Sequence, residues 1–296
     1  MRRAGRPALL LPMLFILAGC ASGVLQRSHV LFDDFDYTST SELAAHGWIM
    51  RTESGWPGVP GASWGPQSLS LHDGVLRMSS STDGSGANTR QTQLCHQRKY
   101  LEGTYAARVR FTDAPVAGPN GDQIVETFYF ISPLKAPMDP DYSEIDFEYL
   151  PNGGWGHVGP KIHATTWRTF QLEPWIADNT TSHQDGARGG WHTLVAQVTE
   201  GKVRYFVDGQ QFAEQGDKYF PRAMMSINFN LWFVKDGLIP GSETRQYEED
   251  IDWVYFSGGR TLSPETVERE IADLRRRGVH FRDTVPASGL NSPCNF

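Results

Sequence analysis

The chain has 296 residues, a formal net charge of -7 and three cysteines. This acidic balance disfavours nucleic acid and other polyanions as partners and favours a neutral substrate, because like charges repel at long range. The sequence contains no His-Glu-x-x-His motif, no cysteine cluster with zinc spacing and no phosphate-binding glycine loop. Metal-dependent hydrolysis and nucleotide chemistry are therefore unsupported, and no catalytic cofactor is expected.

Residues 1–20 predict a lipoprotein signal. Three arginines precede an apolar run at 8–18, and small residues lead to Cys20. The run is too short for a membrane span and suits a signal sequence. We expect Cys20 to carry a lipid that holds the protein at the cell envelope, outside the cytoplasm, as its only membrane contact. An ordinary secretory signal is the alternative, and residues 21–30 are expected to be a linker.

Residues 31–257 show short period-2 runs separated by turn residues, with no helical stripe. Asp73-Gly74 and Asp208-Gly209 adjoin such runs and are hairpin signals. The pattern predicts an all-β fold, a two-sheet antiparallel β-sandwich of jelly-roll type with a concave substrate groove, and we expect a monomer. The expected strands are 69–71, 75–78, 104–111, 124–131, 144–150, 161–167, 192–199, 202–207, 225–233 and 251–256.

The composition changes after residue 257, and residues 258–296 predict one helix and a tail. Ser263 suits the N-cap, Pro264 suits the first helical position, and Gly278 follows a basic run. A packing role is expected for this helix. With Cys20 assigned to the lipid, Cys95 and Cys294 form either a disulfide in an oxidising compartment or two buried free thiols.

The run from Glu144 to Tyr149 alternates acidic and apolar residues. A β-strand places Glu144, Asp146 and Glu148 on one face and the apolar residues on the other, toward the core. Like charges on one face cost stability, which indicates a function. Retaining cleavage of a glycoside needs an ionised carboxylate as nucleophile and a protonated one as acid/base. A solvated acidic face or a set of Ca²⁺ ligands is the alternative.

This run resembles the Glu-x-Asp-x-Glu signature of glycoside hydrolase family 16. The resemblance implies that Glu144 is the nucleophile, Asp146 the assisting residue and Glu148 the acid/base of a retaining endo-β-glycanase that acts on a polysaccharide. The motif has no inserted residue and so resembles the form in lichenases and xyloglucan-active members, which implies a β-1,3/1,4-glucan substrate. Further similar segments follow in the family's order at 100–108, 191–193, 205–209, 228–232 and 252–255.

Five more residues are candidates for substrate binding. Asn230 and Trp232 match family positions that contact sugars, and a Trp face can stack on a pyranose while an amide binds its hydroxyls. Thr165 and Trp167 lie on the strand after the acidic one and face the same way by period 2, as does His163. A core position is the alternative for Trp167.

Asp252 resembles a family calcium ligand, with the Gly74 carbonyl as its companion. Ca²⁺ takes six or more oxygen ligands, so these two residues make structural calcium a hypothesis only. A rival enzyme class comes from Gly61–Gly65, which fits the Gly-x-Ser-x-Gly pattern of serine esterases. Prolines on both sides of Ser63 conflict with the strand and helix that such a nucleophile needs.

Two other functions use the same residues. A transglycosylase passes the glycosyl-enzyme to a sugar acceptor instead of water, and a galactan hydrolase differs only in the sugar that it accepts. A non-catalytic carbohydrate-binding sandwich is a third alternative, because jelly rolls also serve as lectins. Tyr142 and Ser143 stand where the family commonly has Trp and Asp, a departure that bears on substrate choice.

Overall fold

The computed structural model describes Met1 and residues 29–294. The proposed signal and Cys20 lie outside these residues. Within them, no helix combines the length and apolar character needed to cross a membrane. In chain order the elements are β1 (Val30–Asp33), α1 (Glu42–Ala45), β2 (Trp48–Met50), β3 (Ser63–Trp64), β4 (Leu69–His72), β5 (Val75–Thr82), β6 (Arg90–His96), β7 (Gly103–Phe111), β8 (Ile124–Ile131), β9 (Glu144–Leu150), β10 (Lys161–Gln171), β11 (Ile176–Asp185), β12 (Gly190–Thr199), β13 (Lys202–Val207), β14 (Gln210–Gly216), β15 (Ser226–Phe233), β16 (Arg245–Gly258), α2 (Pro264–Arg276) and β17 (Phe281–Asp283).

The strands form two antiparallel layers, which confirms the predicted sandwich. The cleft sheet has the order β2-β6-β15-β8-β9-β10-β11. The back sheet has the order β4-β5-β16-β7-β12-β13-β14, and β1 pairs with both β16 and β17 at its edge. Short pairings of β6 with β3 and β5 join the two layers.

The apolar face of β9 lies in the core, as its alternation predicts. Ile145, Phe147 and Tyr149 are each 0% exposed. Phe147 stacks on Phe128 of β8, which stacks in turn on Phe229 of β15, with ring centroids 6.2 Å and 5.1 Å apart. Because these rings fill the space between the sheets, the acidic face of β9 can only point to the opposite, open side of the cleft sheet.

Both predicted hairpins have the expected turn geometry. Asp73 and Gly74 have φ values of 49° and 73°, and Asp208 and Gly209 have φ values of 49° and 78°. Two successive positive φ angles are what a type I′ turn requires, and its twist matches that of the flanking strands. The turns connect β4 to β5 and β13 to β14.

The C-terminal helix is present where the sequence predicts it. The Ser263 hydroxyl accepts a hydrogen bond from the Thr266 amide at 3.3 Å, and Pro264 opens the helix. Val267, Ile271 and Leu274 are buried in a cluster against the outer face of the back sheet. The chain then returns as β17 beside β1, so the helix and the tail pack onto the sandwich.

Cys95 and Cys294 form a disulfide with their Cα atoms 5.6 Å apart. Cys95 lies on β6 in the cleft sheet, so the bond ties the end of the described chain to that sheet. Of the two alternatives left by the sequence, the structure shows the disulfide. A loop of this length, 199 residues in sequence separation, restricts the unfolded chain strongly.

The region around Asp252 does not fit a calcium site. Arg275 of α2 donates to the Asp252 carboxylate at 2.7 Å, and the Arg108 guanidinium lies 3.4 Å from its other oxygen. Two guanidinium groups already satisfy this carboxylate and would repel a divalent cation. Gly74 lies instead beside the Asp36 side chain. The cation bound by Asp252 is therefore the guanidinium of Arg275.

Two carboxyl groups are buried between the sheets. Glu126 on β8 and Glu249 on β16 are each 0% exposed. Burial raises the pKa of both carboxyls, and the charge of Glu126 raises that of Glu249 further. A raised folded-state pKa gives stability that is complete below the unfolded pKa and is lost as the pH rises toward the folded pKa.

We therefore expect Glu249→Gln to remove part of the pH dependence of folding. Its free energy of unfolding, relative to wild type, should increase by up to about 1.4 kcal/mol per pH unit between pH 5 and 8. Denaturant unfolding at several pH values measures this. Glu248→Gln is the matched control, since Glu248 forms an ion pair with Arg77 instead. Equal pH slopes in wild type and Glu249→Gln would contradict the expectation.

Candidate active site

The strand register places the three acidic residues in successive rows across the cleft sheet. Glu148 has Thr127 of β8 on one side and His163 of β10 on the other. Asn230 of β15 and His183 of β11 continue this row outward. The Asn230 side-chain oxygen accepts a hydrogen bond from the Thr127 hydroxyl. The row thus begins at an amide and ends at two imidazoles.

The other two rows differ in character. Asp146 lies between Tyr129 and Thr165, a polar row. Glu144 lies between Ile131 and Trp167, an apolar row. Alternate residues of each strand share a face of the sheet, so all three rows line the same side. The side chains on this face therefore change along β9, from an aromatic residue beside Glu144 to a histidine beside Glu148.

A cleft of about 460 Å³ lies over these rows. All three acidic residues line it, and so do all five residues predicted to bind substrate: Asn230, Trp232, Trp167, Thr165 and His163. The sequence places three of the five on the strand after the acidic one and assigns the other two by resemblance to family positions, and the strand register brings all five to one cavity. Asp252 and Gly74 lie on the back sheet, away from it.

Hydrogen bonds hold each carboxyl group in place. The Tyr142 hydroxyl donates to Glu144, and the Trp167 indole donates to Asp146 at 2.9 Å. The Trp155 indole donates to Glu148. Asp146 itself donates to Glu144, which requires Asp146 to carry a proton. Glu144 therefore receives two donors, a surrounding that stabilises an ionised carboxylate.

The pKa values of all three groups are raised, chiefly by burial. Burial raises the pKa of Glu148 to about 8, and the nearby charge of Glu144 adds to this effect. The pKa of Glu144 rises to about 7, with the hydrogen bonds from Tyr142 and Asp146 opposing the rise. Burial and both neighbouring carboxylates raise the pKa of Asp146 well above its usual range. Burial and the charge of Glu144 thus favour the protonated form of Glu148, whereas the two donors at Glu144 favour its ionised form.

Aromatic residues form a wall at the Glu144 end, and most of it was missed from the sequence. The aromatic wall consists of Trp56, Trp167, Phe170 and Trp175. Trp56, from a loop at the β2 edge, packs on Phe170 of β10 with ring centroids 5.5 Å apart. Trp175 packs on Phe170 at 5.8 Å and is 56% exposed. The only sequence signal was a Trp in a Gly/Pro-rich loop at a sheet end.

Three further cleft residues were missed at the Glu148 end. Trp155, on the loop after β9, packs on Trp232 with centroids 5.8 Å apart. His157 on the same loop and His183 on β11 lie close to His163. Nothing in the local sequence pattern joins these residues, because they come from separate elements.

A jelly-roll sandwich with a pair of glutamates on the open face of one strand has the carboxyl groups that retaining glycoside hydrolases use to cleave O-glycosyl bonds. The model of the glycosyl hydrolases family 16 matches residues 61–255. The chain is therefore a member of glycosyl hydrolase family 16. Enzymes of this family need no catalytic cofactor.

Solved structures share the fold. The Bacillus licheniformis beta-glucanase is 17% identical with a TM-score of 0.57, and the match covers 79% of this chain and 100% of that chain. A beta-1,3-1,4-glucanase (lichenase) from a mouse hindgut metagenome is 20% identical with a TM-score of 0.58, covering 77% and 98%. The laminarinase of Flavobacterium sp. UMI-01 is 17% identical with a TM-score of 0.56, covering 77% and 99%. Among curated protein sequences, none matches this chain.

We expect Tyr142→Phe to raise the pKa of Glu144. Losing a hydrogen bond to a charged group costs about 1.5–3 kcal/mol, which corresponds to about one pKa unit or more. Carboxyl-carbon NMR titration of glutamate-labelled protein measures the change. Tyr149→Phe is the control, since the Tyr149 hydroxyl donates to Asp113 instead. The same Glu144 pKa in both variants would show that this hydrogen bond does not control its ionisation.

Proposed function

We propose that this enzyme is an endo-acting β-glycanase in which Glu144 is the nucleophile, Glu148 the acid/base and Asp146 the assisting residue. The observation that carries the proposal is the position of the two glutamates on one face of β9, in one cleft and with different partners. Burial and the charge of Glu144 raise the pKa of Glu148 and favour its protonated form, whereas Glu144 accepts hydrogen bonds from Tyr142 and Asp146, which favour its ionised form. An acid and a nucleophile are thus present together in one cleft.

The reaction has two steps. Glu144 attacks the anomeric carbon while Glu148 gives its proton to the departing oxygen, and a covalent glycosyl-enzyme forms. Glu148, now ionised, deprotonates a water molecule, which displaces Glu144 and releases the sugar with its original anomeric configuration. The proton on Asp146 remains directed at Glu144 and limits the charge that accumulates between them.

The cleft residues have roles in binding under this proposal. Trp232 and Trp167 would stack on sugar rings, while Asn230, Thr165 and His163 would bind hydroxyls. Their position on the cleft lining supports these roles. The unbroken register of β9 with both β8 and β10 supports a β-1,3/1,4-glucan backbone, because it is the unbulged form of the motif.

We also propose that the enzyme works at the cell envelope, attached through a lipid on Cys20. The support is the sequence of residues 1–20 and a disulfide, Cys95 to Cys294, that suits an oxidising compartment. A structural calcium ion is not part of this proposal, because Asp252 binds Arg275.

A substrate panel tests the activity. Wild type should release reducing ends from mixed-linkage β-glucan faster than from β-1,3-glucan, β-1,4-glucan or galactan. Glu144→Gln should lose more than about a thousandfold in kcat, because the covalent step needs the nucleophile. Glu102→Gln, at an exposed position away from the cleft, should retain wild-type activity.

The same assay separates the alternatives. Products longer than the starting oligosaccharide would indicate a transglycosylase. Preferred cleavage of galactan would replace the glucan assignment. Binding without release of reducing ends, or equal rates for wild type and Glu144→Gln, would contradict the proposed catalysis and favour a binding sandwich.

Cell fractionation tests the attachment. Wild type should incorporate labelled fatty acid and sediment with membranes, and Cys20→Ser should do neither, because the lipid is the proposed anchor. Ser22→Ala, two residues away, should behave as wild type. Unlabelled, freely secreted wild-type protein would support the ordinary secretory signal instead.

A further inference from the structure

Three histidines meet at the Glu148 end of the cleft. The histidine cluster consists of His157, His163 and His183, whose ring centroids are 4.6 Å, 5.5 Å and 5.7 Å apart in pairs. His163 is 3% exposed, and its buried Nε2 has no hydrogen-bond partner among the residues that the structure describes. His163 and His157 line the cleft, and His157 and His183 are exposed at its rim. An unpaired buried nitrogen costs free energy unless a ligand satisfies it.

The charged surroundings of His163 come from four elements. Glu148 on β9 is its neighbour on one side, and His183 on β11 is its neighbour on the other. His157 approaches from the loop after β9, and Lys161 lies on the same strand as His163, with its ammonium 2.5 Å from Asp185. Asp185 is thus engaged by Lys161, and burial raises the pKa of Glu148, which favours the neutral form of this neighbour.

The cluster lies on the side of the leaving group. Glu148 gives its proton to the departing oxygen, so the sugar beyond the scissile bond lies nearer to Glu148 than to Glu144. In the Glu148 row, the next residues toward β11 are His163 and His183, and those toward β15 are Thr127 and Asn230. A substituent on that sugar would meet the imidazoles, whereas the opposite end of the cleft would present the aromatic wall.

We propose that the histidine cluster binds an acidic group, a carboxylate or a sulfate ester, on the sugar of the leaving-group side, so that the preferred substrate is an acidic β-glycan. This inference rests on the proposed function and replaces the neutral substrate expected from the net charge of -7, because the imidazoles at the cleft contact the sugar directly, whereas the charge of the whole chain acts at long range and is screened by salt. Imidazoles offer N–H donors to such an anion and become stronger donors when they accept a proton. Among the described residues, no group of three or more His, Cys, Asp or Glu side chains is placed to hold a metal ion.

Proton uptake gives this site a recognisable signature. Burial, and next the charges of His183 and His157, lower the pKa of His163 to about 4, so the free cluster has a neutral centre at pH 7. A bound anion raises the pKa of His163. Anion binding therefore becomes tighter as the pH falls from the His163 pKa of the bound protein toward the His163 pKa of the free protein. A neutral sugar produces no such linkage.

Three forms of one polymer test the proposal: mixed-linkage β-glucan, the same glucan partly oxidised to carboxylate at C6, and the same glucan partly sulfated at C6. With the full enzyme, kcat/KM for one acidic polymer should exceed that for the neutral polymer by at least about tenfold, as a charge-assisted hydrogen bond would give. The advantage should grow from pH 7 to pH 5. The oxidised and sulfated polymers identify which anion the site prefers.

Variants at the exposed members of the cluster locate the effect. His157→Asn and His183→Asn should each reduce the ratio of acidic to neutral kcat/KM by several-fold, and the double variant should abolish the preference. His72→Asn is the matched control, because His72 is an exposed histidine on β4 of the back sheet. Equal turnover of all three polymers, or a preference that survives the double variant, would overturn the inference while leaving the proposed glycanase intact.

Direct binding decides the case in which no polymer is cut. Absence of all turnover would contradict the proposed function, and calorimetry with neutral and C6-oxidised oligosaccharides would then test the cluster alone. Tighter binding of the oxidised form, with proton uptake and loss in the double variant, supports the site. Equal binding, or a preference that chelating agents remove, would overturn it.

Discussion

The constraint on which this molecule depends is the presence of three carboxyl groups on one face of a single strand. Their burial beneath a cleft raises the pKa of each, which disfavours the ionisation of all three together. The surrounding groups then act differently on the two glutamates: Tyr142 and Asp146 direct hydrogen bonds at Glu144 and favour its ionised form, whereas the charge of Glu144 favours the protonated form of Glu148. On an exposed strand, like charges on one face would repel and reduce stability. In the cleft, the different surroundings of the two glutamates separate their roles into an acid and a nucleophile.

The rest of the fold gives this strand a rigid and asymmetric setting. The apolar face of β9 is buried in the aromatic core, so its acidic face points into the cleft. The neighbouring strands supply different residues to each row, aromatic beside Glu144 and histidine beside Glu148. Helix α2 packs on the outer face of the back sheet, and the disulfide ties Cys294 to the cleft sheet. The asymmetry of the cleft is the basis for assigning a direction to the bound glycan.

Prediction from the sequence succeeded where the signal was local. The strand from Glu144 to Leu150 and the helix capped by Ser263 were both predicted correctly, because alternation and capping are properties of a few adjacent residues. It failed for β6 and β11. Strand β6 is buried yet largely polar, and β11 is exposed or half-buried along its whole length, so neither shows the apolar alternation by which strands are recognised. Predicted strands such as 251–256 were also too short, because β16 begins with polar residues.

The sequence by itself determined the fold class, the shared face of Glu144, Asp146 and Glu148, and the helix that follows the sandwich. It also supplied five of the residues that line the cleft, since family order and period-2 alternation both act over short stretches. Only the tertiary structure decided which distant residues meet: Trp56 with Phe170, Arg275 with Asp252, Cys95 with Cys294, and His157 with His163 and His183. The physical reason is that side-chain alternation is set within each strand, whereas register and loop packing are set by the burial of the whole core.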